Sequence, residues 1–190
     1  MHNLILASQS PRRHQLMEQA GFTFTVAVPD VDETNPPGMP GSAVPEFLAH
    51  KKATAIRQQY PDATILAADT VVLLGNELTG DEILGKPLDS EDAIAMLQRL
   101  SGRMHRVVTG VCLIKGSKTE QFSSITEVYF RSLNLQQIQH YIMQYKPFDK
   151  AGSYAIQEWI GLVGIEKING DYYNVMGLPI GEVARRLQLL

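Results

Sequence analysis

Cysteine is nearly absent from the sequence, since Cys112 is the only one among 190 residues. A lone cysteine excludes an internal disulfide framework and a zinc site built from several cysteines, and it fits a reducing compartment. Apolar runs are short as well, and none approaches the roughly 20 residues of a membrane-spanning helix. The first residues, MHNLILAS, lack the basic start and long apolar core of a signal peptide. We therefore expect a cytoplasmic protein with no membrane partner.

An excess of charge of either sign is also missing. Lysine and arginine number 17 and aspartate and glutamate number 20, which leaves a net charge of −3. This balance gives no general attraction to nucleic acid, so any recognition of anions must be local. The sequence also lacks a Gly-x-Ser-x-Gly segment, and its histidines have no ligand spacing. Serine–histidine and cysteine–histidine catalysis therefore have no support.

Apolar runs alternate along the chain with segments of helical spacing. The spacing predicts strands at 3–7, 22–28, 63–74, 105–116 and 119–132, and helices at 10–20, 43–59, 90–100, 135–145 and 178–190. Loops are expected at 29–42 and 79–87, a turn at Gly75-Asn76, and a hairpin over 161–177 that turns at Asn169-Gly170. The strands at 105–116 and 119–132 predict a second hairpin around Lys115-Gly116-Ser117. Because these two hairpins interrupt the alternation, we expect a single α/β domain with a mixed sheet.

Two consecutive arginines, Arg12 and Arg13, follow Ser10-Pro11, a pair that suits the start of a helix. The first turn of a helix is its positive end, where a cation costs about 0.3–1 kcal/mol unless an anion offsets it. A polyphosphate would reverse that cost, because backbone N–H groups, the Ser8 and Ser10 hydroxyls and both guanidiniums would then meet it. The alternative is that both arginines are solvated on an exposed helix.

A polar pair, Asp69 and Thr70, interrupts the apolar run ILAADTVVLL. Burying a carboxylate is costly unless it is paired or coordinated, so Asp69 is a candidate general base or metal ligand. The alternative is a turn or cap at a strand end, against which the apolar residues that follow at once are evidence.

Three further segments hold candidates that are weak when taken alone. The acidic segment PDVDE offers Glu33 and two aspartates as oxygen ligands for magnesium, and the alternative is a solvated acidic loop. Lys52 and Lys86 are candidate phosphate contacts, although a single lysine is more often an ordinary surface residue. The segment DKAGSYAIQ places Gln157 shortly after a glycine turn.

Together these segments carry a resemblance. The sequence resembles the Maf proteins, also described as septum-formation-inhibitor homologues and nucleoside triphosphate pyrophosphatases, from about Leu4 to Ile180. The matching segments, in order, are LILASQSPRR, DVDE, KKA, AADTVV, LGKP, LSGR, DKAGSYAIQ and VMGLPI. The resemblance implies hydrolysis of a nucleoside triphosphate to a monophosphate and pyrophosphate. It also implies an elongated α/β fold with a mixed sheet, two lobes and a central cleft, similar to that of inosine triphosphate pyrophosphatases.

The resemblance also implies roles for single residues. Asp69 corresponds to the proton acceptor, and Glu33 to a catalytic or metal-side carboxylate. The implied cofactor is a divalent cation, Mg²⁺ or Mn²⁺, held by Glu33 and Asp69. The residues that correspond to the phosphate side are Ser8, Arg13, Lys52 and Lys86. A homodimer is implied as well.

Three positions separate branches of the family, and they correspond to Arg12, Thr70 and Gln157. With these residues the chain resembles the branch that acts on dTTP and UTP, and Gln157 can offer a donor and an acceptor to a pyrimidine. The branch that acts on 7-methyl-GTP carries Trp, Gln and Glu there. The chain departs from its relatives at Ser153-Tyr154-Ala155 and at Glu158-Trp159, where they often have Ala-Tyr-Gly and a glycine.

Two alternatives stay open at this point. The segment DVDET at 30–34 fits the Asp-x-Asp-x-Thr pattern of haloacid-dehalogenase-like phosphatases, whose first aspartate is a nucleophile at a strand end. That interpretation leaves Arg12 and Arg13 unexplained. The second alternative is a nucleotide-binding regulator of cell division without relevant turnover, since the name of the resembling family records a role in division arrest.

Overall fold

A computed structural model describes residues 3–76 and 80–189 of the chain. Its strands are β1 (Leu4–Ala7), β2 (Thr25–Val26), β3 (Thr64–Asn76), β4 (Gly80–Leu84), β5 (Met104–Lys115), β6 (Lys118–Phe130) and β7 (Ile165–Asn169). Its α-helices are α1 (Pro11–Gln19), α2 (Val44–Gln59), α3 (Ser90–Leu100), α4 (Leu135–Tyr145), α5 (Trp159–Gly164), α6 (Tyr172–Met176) and α7 (Ile180–Leu189). A 3₁₀ turn covers Ala151–Ser153. Among the described residues, no helix has both the length and the apolar character needed to cross a membrane.

The strands form one mixed sheet of seven strands. Its order is β2-β1-β3-β5-β6-β7, and β4 pairs with β3 outside that path. β1 is parallel to β2 and to β3, whereas β4 is antiparallel to β3 and β7 is antiparallel to β6. All four residues of β1 are buried, which is typical of a strand with parallel neighbours on both sides. The predicted α/β class with a mixed sheet is confirmed.

The chain divides into two compact units. Unit 1 consists of Met1–Thr70, Thr109–Ser124 and Gly177–Leu190, and unit 2 of Val71–Val108 and Ile125–Met176. Strands β3, β5 and β6 each contribute residues to both units. The elongated shape and the central cleft implied by the resemblance stay predictions.

Small residues build much of the core of unit 1. They include Ala7, Ala27, Ala49, Ala53, Ala63 and Ala67. Ala49 and Ala53 lie one turn apart on α2, so this helix can pack closely. At Gly110 of β5, a Cβ atom would lie 2.1 Å from the backbone nitrogen of Glu46, which leaves room for glycine alone. This packing fixes α2, the helix that carries Lys52.

Larger side chains build the core of unit 2, among them Val72, Leu97, Leu100, Phe130, Tyr141, Tyr154 and Ile160. Helix α3 begins after Asp89, whose carboxylate accepts a hydrogen bond from the Asp92 N–H. Helix α4 begins after Asn134, where Asn134 and Gln137 each accept a hydrogen bond from the other's backbone N–H. Both predicted helix starts are confirmed.

Three predictions near β2 and β4 need correction. The strand predicted at 22–28 is shorter than expected, the loop predicted at 79–87 is confirmed only over 85–87, and the turn predicted at Gly75-Asn76 is wrong. β2 covers Thr25–Val26 only, since just these residues pair with β1. Residues 80–84 form β4 instead of a loop, and Gly75-Asn76 lies within β3, which pairs with it. β4 is mostly exposed, so no apolar run marks it in the sequence. Residue 79 of the predicted loop lies outside the described residues.

The predicted hairpin at 161–177 is also wrong, because α5, β7 and α6 occupy this stretch. Gly170, with a φ of 135°, turns the chain after β7 as the Asn-Gly signal indicates. However, the Asp171 carboxylate then accepts a hydrogen bond from the Tyr173 N–H at 2.8 Å. This contact starts a helix where the sequence indicated a second strand.

Candidate functional site

The turn between β1 and α1 holds the first candidate residues. Pro11 occupies the first position of α1 and Ser10 precedes it as predicted, but the Ser10 side chain makes no capping hydrogen bond. Instead, the Ser8 hydroxyl accepts a hydrogen bond from the Ser10 N–H at 3.2 Å. His14 donates from Nε2 to the Ser8 carbonyl oxygen at 2.8 Å, because a carbonyl can only accept. Ser8 is therefore held by its side chain and its backbone.

Arg13 is buried and bonded to the protein itself. Its Nε donates to the carbonyl of Gly177 at 2.7 Å. Its Nη1 donates to the carbonyl of Ala68 at 2.7 Å and to the Ser8 hydroxyl at 3.2 Å, and its Nη2 donates to the Thr70 hydroxyl at 2.9 Å. These contacts join the ends of β1 and of the unit 1 part of β3 to residue 177. A direct phosphate contact of Arg13 stays a prediction.

The charge of Arg13 is also set by its surroundings. Burial lowers the pKa of the guanidinium below its ordinary value, and the Asp69 carboxylate opposes that shift. Arg12, the next residue along α1, is half-buried instead. Successive residues on a helix point about 100° apart, so the side chains of Arg12 and Arg13 lie in different surroundings.

A second group, the acid–lysine cluster, consists of Glu33, Lys52 and Asp69. The Lys52 Nζ lies 2.6 Å from Asp69 Oδ1 and 2.9 Å from Glu33 Oε1. The side chains of Lys52 and Asp69 are 10% and 14% exposed, whereas that of Glu33 is 60% exposed. One buried ammonium group therefore bridges a partly buried carboxylate and an exposed one.

The acid–lysine cluster solves the problem that the sequence raised at Asp69. A carboxylate buried without a partner is strongly unfavourable, and a charged hydrogen bond at short distance offsets much of that cost. Asp69 lies on β3 and Lys52 on α2, so the close packing of α2 described above brings them together. The arrangement holds a carboxylate with fixed orientation beside a cation, which suits proton transfer near negatively charged oxygens.

Thr70 is held on several sides. Besides its bond from Arg13, its hydroxyl lies 2.9 Å from the hydroxyl of Thr109 and 3.4 Å from the Gly177 carbonyl. Thr109 is fully buried. Gly177 has a φ of 117°, a conformation that favours glycine. Thr109 and Gly177 were not predicted from the sequence, although a hydroxyl inside the apolar run VVTGVCLI is the same kind of signal as Asp69.

The remaining candidates, Lys86 and Gln157, belong to unit 2, and both are exposed. Their segments are joined by a backbone hydrogen bond, in which the Gly152 N–H donates to the Gly85 carbonyl at 3.0 Å. The structure thus brings Ser8, Arg13 and Thr70 together in unit 1. It forms the acid–lysine cluster in the same unit, and it links the segments of Lys86 and Gln157 in unit 2.

The donor set for a metal ion is small. Among residues 3–76 and 80–189, no group of three or more His, Cys, Asp or Glu side chains is arranged to hold a metal. Glu33 and Asp69 offer two carboxylates, and Lys52 lies between them. Mg²⁺ commonly takes one or two protein carboxylates together with substrate phosphates, so these residues fit a cation that shares its ligands with a phosphate chain.

The described fold is similar to that of a solved HAM1 protein from Coxiella burnetii. The two structures have a TM-score of 0.58 at 15% sequence identity, and the match covers 100% of both chains. At this identity the similarity shows a shared α/β fold and says nothing about the activity of this chain.

Sequence comparison is more specific. A family model described as Maf-like protein matches residues 3–190. The chain is 46% identical to a dTTP/UTP pyrophosphatase of Cytophaga hutchinsonii, over 99% of this chain and 85% of that protein. It is 44% identical to one of Bacteroides fragilis, over 100% and 96%, and 45% identical to one of Porphyromonas gingivalis, over 94% and 89%. The chain therefore belongs to the Maf-like protein family.

Proposed function

We propose that the protein hydrolyses dTTP and UTP to the nucleoside monophosphate and pyrophosphate, acting as one domain over residues 1–190. The observation that carries this proposal is the acid–lysine cluster, in which a partly buried carboxylate is held beside a buried ammonium group. The names of the three relatives given above support the choice of substrates.

Asp69 is the proposed general base. Its carboxylate accepts a proton from water as the water oxygen bonds to the α-phosphorus, and the bond from that phosphorus to the bridging oxygen breaks to release pyrophosphate. Lys52 holds Asp69 through Oδ1 and so fixes its orientation. The same ammonium group offsets negative charge that develops on the phosphate oxygens.

A divalent cation, Mg²⁺ or Mn²⁺, is the proposed cofactor, with Glu33 and Asp69 as its protein ligands. When bound, such a cation neutralises charge on the phosphate chain. Glu33 suits this role because its side chain is exposed on one side of the acid–lysine cluster.

The phosphate chain is the proposed partner of the residues around the start of α1. Ser8, Arg12 and Arg13 lie in or next to the first turn of α1, where backbone N–H groups and the helix dipole favour an anion. Arg13 adds positive charge there while its hydrogen bonds hold Ser8 in place. Lys86 of unit 2 is exposed, and it is proposed separately as a phosphate contact, as the resemblance implies.

The nucleobase is the proposed partner of Gln157 in unit 2. Arg12 and Thr70 of unit 1 are proposed as substrate-binding residues, as the resemblance implies. An amide side chain can donate and accept hydrogen bonds at the same time, which matches the edge of thymine or uracil. Gln157 is exposed and therefore accessible to a ligand.

A nucleotide panel tests this proposal. Purified protein with Mg²⁺ is given dTTP, UTP, dCTP, dATP and GTP separately, and pyrophosphate and monophosphate are quantified. We expect dTTP and UTP to turn over at least about tenfold faster than the purine nucleotides, a ratio that one or two base hydrogen bonds can supply. Equal turnover of all five would overturn the substrate assignment. No turnover of any would favour a nucleotide-binding regulator.

A haloacid-dehalogenase-like phosphatase finds no support in the geometry. In that mechanism the first aspartate of DVDET would act from the end of a strand, but β2 ends at Val26 and no strand follows before α2. The Asp32 carboxylate accepts hydrogen bonds from the Thr34 N–H at 2.9 Å and from its hydroxyl at 2.6 Å. These bonds lower the pKa of Asp32 and form a local turn.

A further inference from the structure

The segment that carries Gln157, residues 150–158, has an unusual backbone. Gly152 and Ser153 have φ values of 66° and 61°, so two consecutive residues adopt the left-handed conformation and the second is not glycine. A Cβ atom at Gly152 would lie 3.1 Å from the Val72 methyl groups. Residues 152–156 are buried, and Gln157 is exposed directly after them. Such a backbone persists only where neighbouring contacts hold it.

A chain of polar contacts closes this segment. The Lys150 Nζ lies 3.5 Å from Glu158 Oε1, so an ion pair connects its two ends. The other carboxylate oxygen of Glu158 accepts a hydrogen bond from the hydroxyl of Tyr141 on α4. That hydroxyl accepts a hydrogen bond from the Ala155 N–H at 3.1 Å. Glu158 thus reaches both the first residue and the middle of the segment.

Burial strengthens these contacts. Tyr141 is fully buried, and the side chains of Lys150 and Glu158 are 10% and 21% exposed. Ion pairs and charged hydrogen bonds shielded from water are stronger and more directional than those on an open surface. Loss of the Glu158 carboxylate would leave the buried Tyr141 hydroxyl without its acceptor there and Lys150 with one carboxylate fewer.

Glu158 directly follows Gln157 in the chain, so contacts that fix Glu158 also restrict the backbone of Gln157. We infer that Glu158 is a positioning residue, which acts through Lys150 and Tyr141 to hold the backbone of Gln157 so that its amide meets the nucleobase in one orientation. The inference rests on the proposed function, because an amide that makes two hydrogen bonds to a base must be held in one orientation. Glu158 itself touches neither substrate nor reacting atoms in this account.

The test measures kcat and KM for dTTP and dATP in Glu158→Ala, Gln157→Ala and the double variant. We expect Glu158→Ala to raise the KM for dTTP about tenfold and to leave kcat within about twofold, as loss of one positioned hydrogen bond would. The preference for dTTP over dATP should fall by the same factor. In the Gln157→Ala background, Glu158→Ala should have no further effect on that preference.

Three controls separate positioning from general destabilisation. Glu158→Gln keeps an acceptor for Tyr141 and should restore part of the preference. Asp149→Asn removes the other carboxylate near Lys150, 2.7 Å away, and should leave the preference unchanged. Tyr141→Phe removes the hydroxyl alone. If Glu158→Ala does not fold, the preference of Tyr141→Phe for dTTP over dATP is the measure of positioning, and it should fall.

The outcomes are distinguishable. A full additional loss in the Gln157→Ala background, or an unchanged preference in Glu158→Ala and Tyr141→Phe, would overturn the inference about Glu158. Absence of dTTP turnover in the unmodified protein would instead overturn the proposed function.

Discussion

The two units hold their polar residues in different ways. In unit 1, charged side chains bond directly to one another, as Lys52 does to Asp69 and Glu33, or to backbone carbonyls, as Arg13 does. In unit 2, the exposed Gln157 is held through the backbone of its segment, which Glu158 and Tyr141 fix from behind.

This difference matches two different tasks. Proton transfer and charge neutralisation need ionised groups at fixed short distances, which the acid–lysine cluster supplies. Reading a base needs an uncharged side chain that is accessible and still oriented, which a supported loop supplies. Changes in unit 1 should therefore affect turnover or stability, and changes around Gln157 should affect selectivity.

The largest effect is expected from Asp69→Asn. The amide has nearly the same shape but cannot accept a proton, so kcat should fall by about 100-fold or more. Binding of dTTP, measured by calorimetry, should stay within a few-fold of the unmodified protein. Unchanged turnover would remove Asp69 as the base and would erase the proposed contrast between the units.

Arg13→Lys sharpens the account of unit 1. Lysine keeps the charge but cannot make the four hydrogen bonds of the guanidinium, so the free energy of unfolding should fall by about 2–4 kcal/mol. Urea denaturation measures that loss. In Arg13→Ala, binding of triphosphates should weaken far more than binding of nucleosides if the charge also serves the phosphates. Equal weakening would indicate a purely structural residue.

His105 offers a pH test of unit 2. It is fully buried, it lies 2.7 Å through Nε2 from the Tyr154 hydroxyl, and burial lowers its pKa from 6.5 to about 3. Between pH 6.5 and about 3, the unfolded chain therefore binds a proton at His105, whereas the folded protein does not. Stability should fall as the pH drops from about 6.5 towards 3, with up to about 1.4 kcal/mol per pH unit from this residue.

A variant supplies the control for that slope. His105→Gln has no titrating group, so its free energy of unfolding should depend less steeply on pH over the same interval, whatever its stability at neutral pH. Equal slopes in the two proteins would show that His105 does not contribute to the acid sensitivity of unit 2.

The smallest effect is expected at Cys112. This thiol is fully buried in unit 1, and burial together with the Glu46 carboxylate raises its pKa to about 12. Iodoacetamide at pH 8 should leave it unmodified in the folded protein. In urea, its labelling should follow the fluorescence of Trp159, the single tryptophan, which lies in unit 2. Because three strands contribute to both units, we expect coincident transitions; separate midpoints would show that the units unfold independently.

The sequence was most informative where a polar residue interrupts an apolar run. The position of Asp69 in ILAADTVVLL predicted a carboxylate that needs a partner, and the structure places it partly buried and 2.6 Å from the Lys52 Nζ. Lys52 carried no such signal, because an isolated lysine on a helix is usually solvated, and its partner lies 17 residues away on another element. Helix caps at Asp89 and Asn134 were predictable because they depend on neighbours in sequence.

The surroundings of Arg13 show why the rest was not predictable. Its position at the start of α1 suggested an external anion, but its acceptors include the carbonyls of residues 55 and 164 positions away. Backbone carbonyls leave no trace in the residue pattern. The contacts of Glu158 were equally unpredictable from the sequence, because a tyrosine on a helix and a lysine in a loop are ordinary residues at such places.

The products formed from dTTP provide the most direct test of the central claim, that the acid–lysine cluster supports hydrolysis between the α and β phosphates. We predict one pyrophosphate for each dTMP, with no orthophosphate, when both are quantified from the same reaction in the absence of a separate inorganic pyrophosphatase. Formation of dTDP and orthophosphate would contradict the account.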